Sequence, residues 1–482
     1  MTAPAAPVLW NAAEAAAAVA GRAVGPDWRA SGVSIDSRAI HPGELFVALK
    51  GPRLDGHAFV ADAFKRGAAA AVVAQTPPDA PAGAALLRVA DTQVALEGLG
   101  RAARARTDAR IAAVTGSVGK TGVKEALRHV LARQGATAAS VGSFNNQWGV
   151  PLSLARMPKD SAFGVFEIGM NHPGEITPLV GMVRPHVALI TAIAPAHLEF
   201  FPDLDAVADA KAEIFSGLEP GGTVVLPADS LQFARLAAAA RRRRGARIVA
   251  FGLGEGTAQD ARALSFALHA DGAVVAADIA GLRVEYRLKL PGRHWVSNSL
   301  AVLAAVHALG ADVAAAAAAL ADVPPLKGRG ERHTVISGGG TFLLIDESYN
   351  ASPASMAAAI AAAGAVSPQA GGRRIAVLGD MLELGADSAA HHALLAPLLV
   401  EARFDLVFTA GARMKALAEA LPKAMRAGHV ESADAMAPLV AAAVRAGDVV
   451  MVKGSAGSRT GTVVQALLAL GEIPTVSVVN GN

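Results

Sequence analysis

The sequence predicts an α/β protein of three domains: a small N-terminal α/β domain, a central doubly wound parallel sheet, and a C-terminal Rossmann-like domain. Its length supports this number, because 482 residues correspond to about three domains of roughly 150 residues each. Apolar runs of strand length alternate with helical stretches from about residue 109 onwards, which is typical of parallel sheets built from βαβ units. Several runs end in polar or glycine-rich loops, as expected where ligands bind at the carboxyl ends of strands.

The composition indicates a globular protein and excludes several functional classes. Hydrophobic residues make up 52% of the chain and aromatic residues only 4%, so the chain is too apolar for disorder. A formal charge of +3 is too small for a nucleic-acid-binding surface, and the arginine run 241–244 is interpreted as a solvated helix face. The absence of Cys excludes disulfides, thiol nucleophiles and Cys-ligated metals.

No membrane insertion is expected. The mean hydropathy of +0.37 reflects Ala and Val in helices and strands. The Ala-rich run 313–321 is much shorter than the roughly 20 apolar residues that span a bilayer. No basic residue precedes a Leu-rich run at the N-terminus, so no signal peptide is predicted. The expected state is a monomer in the reducing cytoplasm.

The N-terminal domain is predicted to comprise residues 1–108. An apolar strand at 45–49 leads into a polar loop at 50–57 that is rich in turn residues. A helix and a second apolar strand at 69–73 follow. The basic segment 101–110 is interpreted as the approach to a domain boundary.

The central domain is predicted to comprise residues 109–325, and the C-terminal domain residues 326–482. Alternating apolar and polar side chains at 264–290 indicate an antiparallel appendage. The Pro-rich segment 324–328 is the predicted linker. The apolar runs that predict strands are 111–114, 164–168, 187–193, 223–226 and 247–250 in the central domain, and 342–345, 374–378, 406–408 and 449–452 in the C-terminal domain.

A phosphate-binding loop is the strongest chemical signal. It follows an apolar strand and precedes a helix predicted at 122–133, which is the context that such a loop requires. Its glycines allow backbone N–H groups to converge on phosphate oxygens, its lysine is expected on the β/γ-phosphates, and its last hydroxyl on Mg²⁺. The generic pattern has Gly where this chain has Val114, and the alternative is a glycine-rich turn with a surface lysine. The loop consists of Thr115, Gly116, Ser117, Val118, Gly119, Lys120 and Thr121.

Two further strand ends point to a metal site beside this loop. Glu167 lies within an otherwise apolar run, where a carboxylate is costly unless it is paired or bound to metal. His197 lies in the loop after the next strand. Together with Thr121, these residues are the predicted ligands of a divalent cation. A surface histidine is the alternative for His197.

Other polar residues carry weaker signals. The amides of Asn145 and Asn146 suit recognition of a polar substrate, although an ordinary turn explains them as well. Lys211 is interpreted from composition as a helix-surface lysine. Loops at 346–353, 379–385 and 453–455 follow C-terminal strands and are candidates for ribose and anion contacts, with helix N-capping as the alternative. The pair His391-His392 is interpreted as surface residues, because adjacent helix positions do not face one site.

Taken in order along nearly the whole chain, these residues resemble the Mur ligases of peptidoglycan synthesis. The resemblance rests on Asp36-Ser37-Arg38, the run 45–49, Asp55-Gly56-His57, the phosphate loop 115–121, Asn145-Asn146, Glu167, His197, Asn298, Arg329, Asp346 and Lys453.

The resemblance implies a fold and a set of roles. The N-terminal domain would bind a UDP-sugar, the central domain ATP, and the C-terminal domain would close over the nucleotide. The lysine at position 211 resembles one that relatives carbamylate to bridge two Mg²⁺ ions. The implied contacts are Ser37, Arg38, Asp55 and His57 to the UDP-sugar, Asn145 and Asn146 to the nucleotide-linked substrate, Asn298, Arg329, Asp346 and Asn350 to ATP, and Lys453 to phosphate or the amine substrate. Lys120, Glu167, His197 and Lys211 are the implied catalytic residues.

The implied reaction is ATP-dependent amide bond formation. The segments 143–151, 167–171 and 349–353 are similar to those of family members that join D-alanyl-D-alanine to UDP-N-acetylmuramoyl-tripeptide. The motif Asp-Asn-Pro-Arg of members that add meso-diaminopimelate is absent, and 349–353 occupies the comparable place. Gly122 and Val123 depart from the family's phosphate loop, and the segment around Arg459 is looser than its pattern. A sister amide ligase, a folylpolyglutamate synthase-like enzyme and an ATP-sensing regulatory protein are the alternatives.

Overall fold

The computed structural model describes residues 7–195, 199–254, 259–269, 271–337 and 340–471. Within these ranges the protein contains three α/β sheets of five, nine and six strands and a two-stranded ribbon. None of the helices found there has the length and apolar character needed to cross a bilayer. The predicted fold class is confirmed.

The N-terminal sheet has the order β2-β7-β6-β5-β4, in which only β2 is antiparallel to its neighbour. Its apolar strands are buried between helices, and Asp91 begins the long helix α3 by accepting hydrogen bonds from the N–H groups of Gln93 and Val94. The elements are β1 (Trp10–Asn11), α1 (Ala12–Val19), β2 (Arg22–Val24), β3 (Arg29–Ala30), β4 (Gly32–Ser34), β5 (Glu44–Val47), α2 (Val60–Lys65), β6 (Ala70–Val73), β7 (Leu86–Arg88) and α3 (Thr92–Ala105).

The central sheet has the order β16-β15-β14-β13-β12-β11-β8-β10-β9. Strands β8 to β14 are parallel, and β14, β15 and β16 form the predicted antiparallel appendage. Separate apolar clusters cover its two faces, which is the doubly wound arrangement. The elements are β8 (Arg110–Thr115), α4 (Lys120–Ala132), β9 (Thr137–Ala139), α5 (Gly149–Ala155), β10 (Phe163–Glu167), α6 (Ile176–Val183), β11 (Val187–Ile190), α7 (Leu204–Ala212), β12 (Thr223–Pro227), α8 (Phe233–Arg241), β13 (Arg247–Gly252), β14 (Ala261–His269), β15 (Gly272–Ile279), β16 (Leu282–Leu288), α9 (Arg293–Ala308) and α10 (Val313–Ala319).

The C-terminal sheet has the order β17-β18-β22-β19-β20-β21, with an antiparallel β17 at one edge. Helix α11 begins with a capping box between Ser352 and Ser355 and with Pro353 in its first turn. The elements are β17 (Glu331–Ser337), β18 (Gly340–Glu347), α11 (Pro353–Gly364), β19 (Arg374–Gly379), α12 (Ser388–Ala393), α13 (Leu395–Glu401), β20 (Leu406–Ala410), α14 (Lys415–Ala420), β21 (Arg426–Val430), α15 (Ala433–Ala443), β22 (Val449–Lys453) and α16 (Gly461–Leu468).

Hydrogen bonds join the N-terminal and central sheets. The Trp10 indole N–H donates to the Ala155 carbonyl at 2.9 Å. The guanidinium of Arg104 is buried and donates to the carbonyls of Val183 and Arg184, both at 2.9 Å. The basic segment at the predicted boundary is therefore packed against the central domain. Each of the three sheets lies within one predicted domain, while the exact boundaries near 108 and 325 stay a prediction.

His186 links stability to pH at the end of the central sheet opposite the phosphate loop. Its Nδ1 accepts a hydrogen bond from the Ile111 N–H at 3.0 Å, which requires an unprotonated nitrogen. Burial, followed by the charges of Arg110 and Arg104, lowers the pKa of His186 from 6.5 to about 4. The unfolded chain therefore takes up this proton first, and stability falls as the pH drops from about 6.5 towards 4.

The variant His186→Asn is expected to reduce this pH dependence, because the Asn carbonyl oxygen can accept the same hydrogen bond without titrating. Between pH 7 and pH 4.5, wild type should lose on the order of 2 kcal/mol more stability than the variant. Thermal unfolding followed across this range measures the difference, with the exposed His269→Asn as the control. Parallel curves for all three proteins would contradict the assignment.

Candidate active site

A cleft of about 710 Å³ lies between the carboxyl ends of the central strands and the C-terminal domain. Helices α4 and α9 form one wall, and the loops after β18, β19 and β22 form the other. Most of the predicted catalytic and nucleotide-binding residues meet here. Those that line the cleft are Ser117, Val118, Gly119, Lys120, Thr121, Asn145, Glu167, Asn298, Arg329, Asn350 and Lys453.

The phosphate loop requires glycine at two positions. Gly116 has a φ of 148°, and a Cβ there would lie 2.0 Å from the Thr191 hydroxyl oxygen. Gly119 has a φ of 86° and precedes the first residue of α4. Thr191 in turn donates to the Val118 carbonyl at 2.5 Å. The loop is thereby fixed to strand β11, with its backbone turned into the start of the helix as anion binding requires.

Lys120 lies over the phosphate loop. Its ammonium donates to the Gly116 carbonyl at 2.6 Å and is half-buried. Burial lowers the pKa of Lys120, the carboxylate of Glu167 opposes this shift, and the charge of Arg329 adds to it. The cleft lining carries more cationic side chains than carboxylates, and this excess of positive charge favours binding of a polyanion. The cations are Lys120, Arg329, Arg332 and Lys453, and the carboxylates are Glu167, Glu347 and Glu383.

Glu167 ends strand β10 beside the phosphate loop and is 1% exposed. Its Oε1 accepts a hydrogen bond from the Asn145 amide at 2.7 Å. Its Oε2 is also buried and has no hydrogen-bond partner among the described residues. A buried carboxylate oxygen without a partner is costly, so this atom is suited to a cation in the cleft.

Two contacts connect the C-terminal domain to the central one across the cleft. The Arg329 guanidinium donates to the Thr121 hydroxyl at 3.1 Å and lies 4.1 Å from the centroid of the Tyr349 ring. The Tyr349 hydroxyl is hydrogen-bonded to the Ser143 hydroxyl. Thr121 is nearly buried under this contact. The segment before β17 therefore reaches the phosphate-loop helix through Arg329, and the loop after β18 reaches the loop after β9 through Tyr349.

Lys453 lies at the end of β22 and is 2% exposed. Its ammonium donates to the Asn350 carbonyl at 2.9 Å and to the Glu347 carboxylate at 3.3 Å. Asp346 is buried beside them and accepts a hydrogen bond from the Ser348 N–H at 2.9 Å. These residues form a preorganised polar wall opposite the phosphate loop.

The prediction of a surface position for Lys211 is wrong. Lys211 is 2% exposed at the end of α7, and no carboxylate pairs with it among the described residues. Burial and the charge of Lys120 lower its pKa well below the ordinary value. A buried, uncompensated lysine beside a second lysine is unfavourable as an ammonium ion and favours a neutral or modified amine.

The N-terminal residues predicted to bind a UDP-sugar lie in a separate loop region. Arg38 is exposed and forms a bidentate ion pair with Asp36 at 2.9 and 2.7 Å. His57 is buried; its Nδ1 is 2.6 Å from Asp55, and its Nε2 accepts from the Ala74 N–H at 2.9 Å. Both ring nitrogens of His57 are thus engaged within the domain, and the residue positions its loop. Ser37 is buried next to Arg38.

Other predicted residues have local roles. The Asn146 side chain accepts from the N–H groups of Trp148 and Gly149 and so orders the start of α5, as the alternative of an ordinary turn implied. Asn298 on α9 faces Gly119 so closely that a Cβ added at Gly119 would lie 3.0 Å from the Asn298 amide oxygen. Thr115 is fully buried at the end of β8. His197 lies outside the described residues.

Three residues near the cleft have structural roles that the sequence did not indicate. Lys124 is completely buried on α4 and donates to the backbone of the loop after β9. Tyr349 connects the C-terminal and central domains, whereas the sequence pointed only to the segment 349–353 and not to this role. His392, expected at the surface, is completely buried; it donates to the Ser388 carbonyl and accepts from the Met381 N–H at 3.0 Å. It therefore fixes the cleft loop after β19.

Comparison with known protein families assigns each part of this arrangement. Residues 29–105 match the model "Mur ligase family, catalytic domain", residues 114–306 the Mur ligase middle domain, and residues 328–456 the "Mur ligase, glutamate ligase domain". A UDP-N-acetylmuramoyl-tripeptide–D-alanyl-D-alanine ligase of Escherichia coli K12 is 36% identical over 83% of this chain and 85% of its own length. The chain belongs to the Mur ligase family.

Solved Mur ligase structures have the same architecture. MurF from Acinetobacter baumannii superimposes with a TM-score of 0.82 at 31% identity, covering 95% of this chain and 99% of its own. A MurF ligase from Thermotoga maritima in complex with ADP gives a TM-score of 0.74 at 25% identity, covering 91% and 97% of the two chains. The family membership predicted from the sequence is confirmed.

Proposed function

We propose that this Mur ligase joins D-alanyl-D-alanine to UDP-N-acetylmuramoyl-tripeptide at the expense of ATP, releasing ADP and phosphate. Curated relatives at 30 to 36% identity carry this activity in their names, and the ADP complex of a relative identifies the nucleotide. The observation that carries the proposal is that the groups needed for phosphoryl transfer meet in one cleft. One cleft contains a phosphate loop, a buried carboxylate oxygen without a partner among the described residues, and basic side chains from two domains.

The reaction must activate a carboxylate, because hydroxide is a poor leaving group and a carboxylate repels nucleophiles. The terminal carboxylate of the tripeptide attacks the γ-phosphate of ATP, a new P–O bond forms, and the bond to ADP breaks. The amine of the dipeptide then attacks the carbonyl carbon of the acyl phosphate and loses a proton, and phosphate departs with the C–O electron pair. No covalent enzyme intermediate is required.

Bringing the two anions together requires positive charge at the point of transfer. Lys120 lies over the phosphate loop and would contact the β/γ-phosphates. Arg329 and Lys453 face it from the C-terminal domain and would neutralise the transferred group or hold the dipeptide. We assign contacts with the nucleotide to Asn298, Asp346 and Asn350 as well.

The residues present fit a Mg²⁺ ion. Mg²⁺ prefers oxygen ligands, and the Glu167 carboxylate and Thr121 hydroxyl are oxygen donors beside the phosphate loop. The unpartnered Oε2 of Glu167 is the atom best suited to hold it. When bound, the ion supplies charge neutralisation for the phosphate oxygens. His197 is retained as the third proposed ligand.

Binding of the UDP-sugar is assigned to the N-terminal domain through Ser37, Arg38 and the loop that Asp55 and His57 position. Asn145 lines the cleft and holds Glu167, and it would contact the nucleotide-linked substrate, as would Asn146. We expect the protein to be a monomer and the reaction to take place in the cytoplasm.

The decisive experiment measures ADP release with UDP-N-acetylmuramoyl-tripeptide, with and without D-alanyl-D-alanine. We expect turnover only when ATP and both substrates are present, and a new amide product in mass spectrometry. A panel of other amines separates the sister ligases, and ATP binding without turnover would favour an ATP-sensing regulatory protein instead.

A further inference from the structure

A buried lysine outside the proposed catalytic set connects the phosphate-loop helix to the loop that carries the cleft's polar groups. Lys124 lies one helical turn after Lys120 on α4 and is 0% exposed. Its ammonium donates to the Ser140 carbonyl at 2.7 Å and to the Gly142 carbonyl at 2.9 Å. It also pairs with the neighbouring carboxylate of Glu125. All of its donors are therefore used inside the protein.

The loop held by Lys124 is in turn bonded to the candidate metal ligand. The Ser140 hydroxyl accepts a hydrogen bond from the Glu167 N–H at 3.2 Å. Three residues beyond Gly142, the Asn145 amide donates to the Glu167 carboxylate at 2.7 Å, and the Asn145 carbonyl accepts from the Gly169 N–H at 2.9 Å. Glu167 is thus held at both its backbone and its side chain by one short loop.

We propose that Lys124 is a positioning residue: it fixes the 140–145 loop so that Glu167 points its free carboxylate oxygen at the phosphate loop. Lys124 and Lys120 share one helix, so this connection links the phosphate contacts to the loop that orients the Glu167 side chain, while pairing of β10 with β8 holds the Glu167 backbone. This inference rests on the proposed function, because the role of Glu167 as a metal ligand is part of that proposal. Partners that orient a metal ligand typically contribute about 10- to 100-fold in metal affinity or activity.

A metal-binding measurement tests this role without the ligation reaction. The probe is Mn²⁺ titrated calorimetrically into the full-length protein with ADP bound, and the variant is Lys124→Met, which keeps the apolar stem but not the donors. We expect Mn²⁺ affinity to fall about 10- to 100-fold, while metal-free ADP affinity, which depends on the phosphate loop, stays within about twofold. Lys124→Arg should restore part of the Mn²⁺ affinity.

Arg128→Met is the matched control. Arg128 is exposed on the same helix and also pairs with Glu125, at 2.7 Å, but it does not contact the 140–145 loop. This variant should bind Mn²⁺ and ADP as wild type does. Equal Mn²⁺ affinity in Lys124→Met and Arg128→Met would overturn the proposal, as would a parallel loss of Mn²⁺ and metal-free ADP binding in Lys124→Met, since that indicates a purely structural role.

Ser140→Ala provides a second, milder test that leaves Lys124 in place. It removes the hydroxyl that accepts from the Glu167 N–H, so Mn²⁺ affinity should fall here too, and the double variant with Lys124→Met should be no weaker than Lys124→Met alone. If Lys124→Met does not fold, unchanged Mn²⁺ affinity in Ser140→Ala refutes the proposal. Because these measurements contain neither tripeptide nor dipeptide, they are independent of whether wild type ligates D-alanyl-D-alanine.

Discussion

Replacement of Lys120 by Ala is expected to reduce the rate of ligation by at least about 10³-fold, which corresponds to about 4 kcal/mol of transition-state stabilisation. The transferred phosphoryl group carries charge that the cleft must neutralise, and the Lys120 ammonium is the cation fixed directly over the phosphate loop. Burial lowers its pKa, and the carboxylate of Glu167 opposes this shift. Steady-state ADP release with saturating substrates measures the loss.

The fold should survive this substitution, because among the described residues the lysine ammonium donates hydrogen bonds only to the carbonyls of Gly116 and Ser117 within its own loop. Circular dichroism and the thermal midpoint should therefore match wild type. Lys159→Ala removes an exposed lysine of the same domain and is the control. Near-normal turnover in Lys120→Ala would refute the proposed active site.

Local pattern explains why the phosphate loop was predictable. The buried strand, the two glycines and the start of the helix lie within about a dozen consecutive residues, and each has a direct physical reason. The central parallel strands were predictable for the same reason, since fully buried parallel strands consist of continuous apolar runs. The antiparallel appendage at 264–290 was equally recognisable from its alternation. Several short strands were not predicted, namely β2, β4, β7, β9 and β21.

Burial of Lys211, Lys124 and His392 was not predictable, in contrast to that of Glu167, which lies within an apolar run. Lysine is rarely buried, so composition placed Lys211 at the surface and gave no reason to select Lys124. The partners of Lys124 lie 16 and 18 residues away, and the contacts of His392 depend on a loop from the preceding strand. Such positions are fixed by tertiary packing, and the resemblance to a family was needed to draw attention to Lys211 at all.

Lys211→Met is expected to reduce ligation by at least about 100-fold, an effect comparable to loss of an electrostatic group in an active site. The substitution conserves the apolar stem and removes only the amine. A neutral amine can attack carbon dioxide, forming an N–C bond and releasing a proton, and the resulting carbamate is an anion. Burial of Lys211 and the charge of Lys120 both lower the pKa of Lys211, so the neutral amine needed for this step is favoured.

The carbamate would convert repulsion between two lysines into attraction and provide oxygen ligands for Mg²⁺, and two measurements distinguish it from an unmodified buried lysine. Wild type prepared with isotope-labelled bicarbonate should show a carbamate resonance that Lys211→Met lacks, and small carboxylates such as acetate should partly restore activity to the variant. The control Lys159→Met, at an exposed position, should keep the carbamate resonance, and acetate should not change its activity. An unlabelled wild type whose Lys211→Met variant retains full activity would show that this lysine serves packing alone.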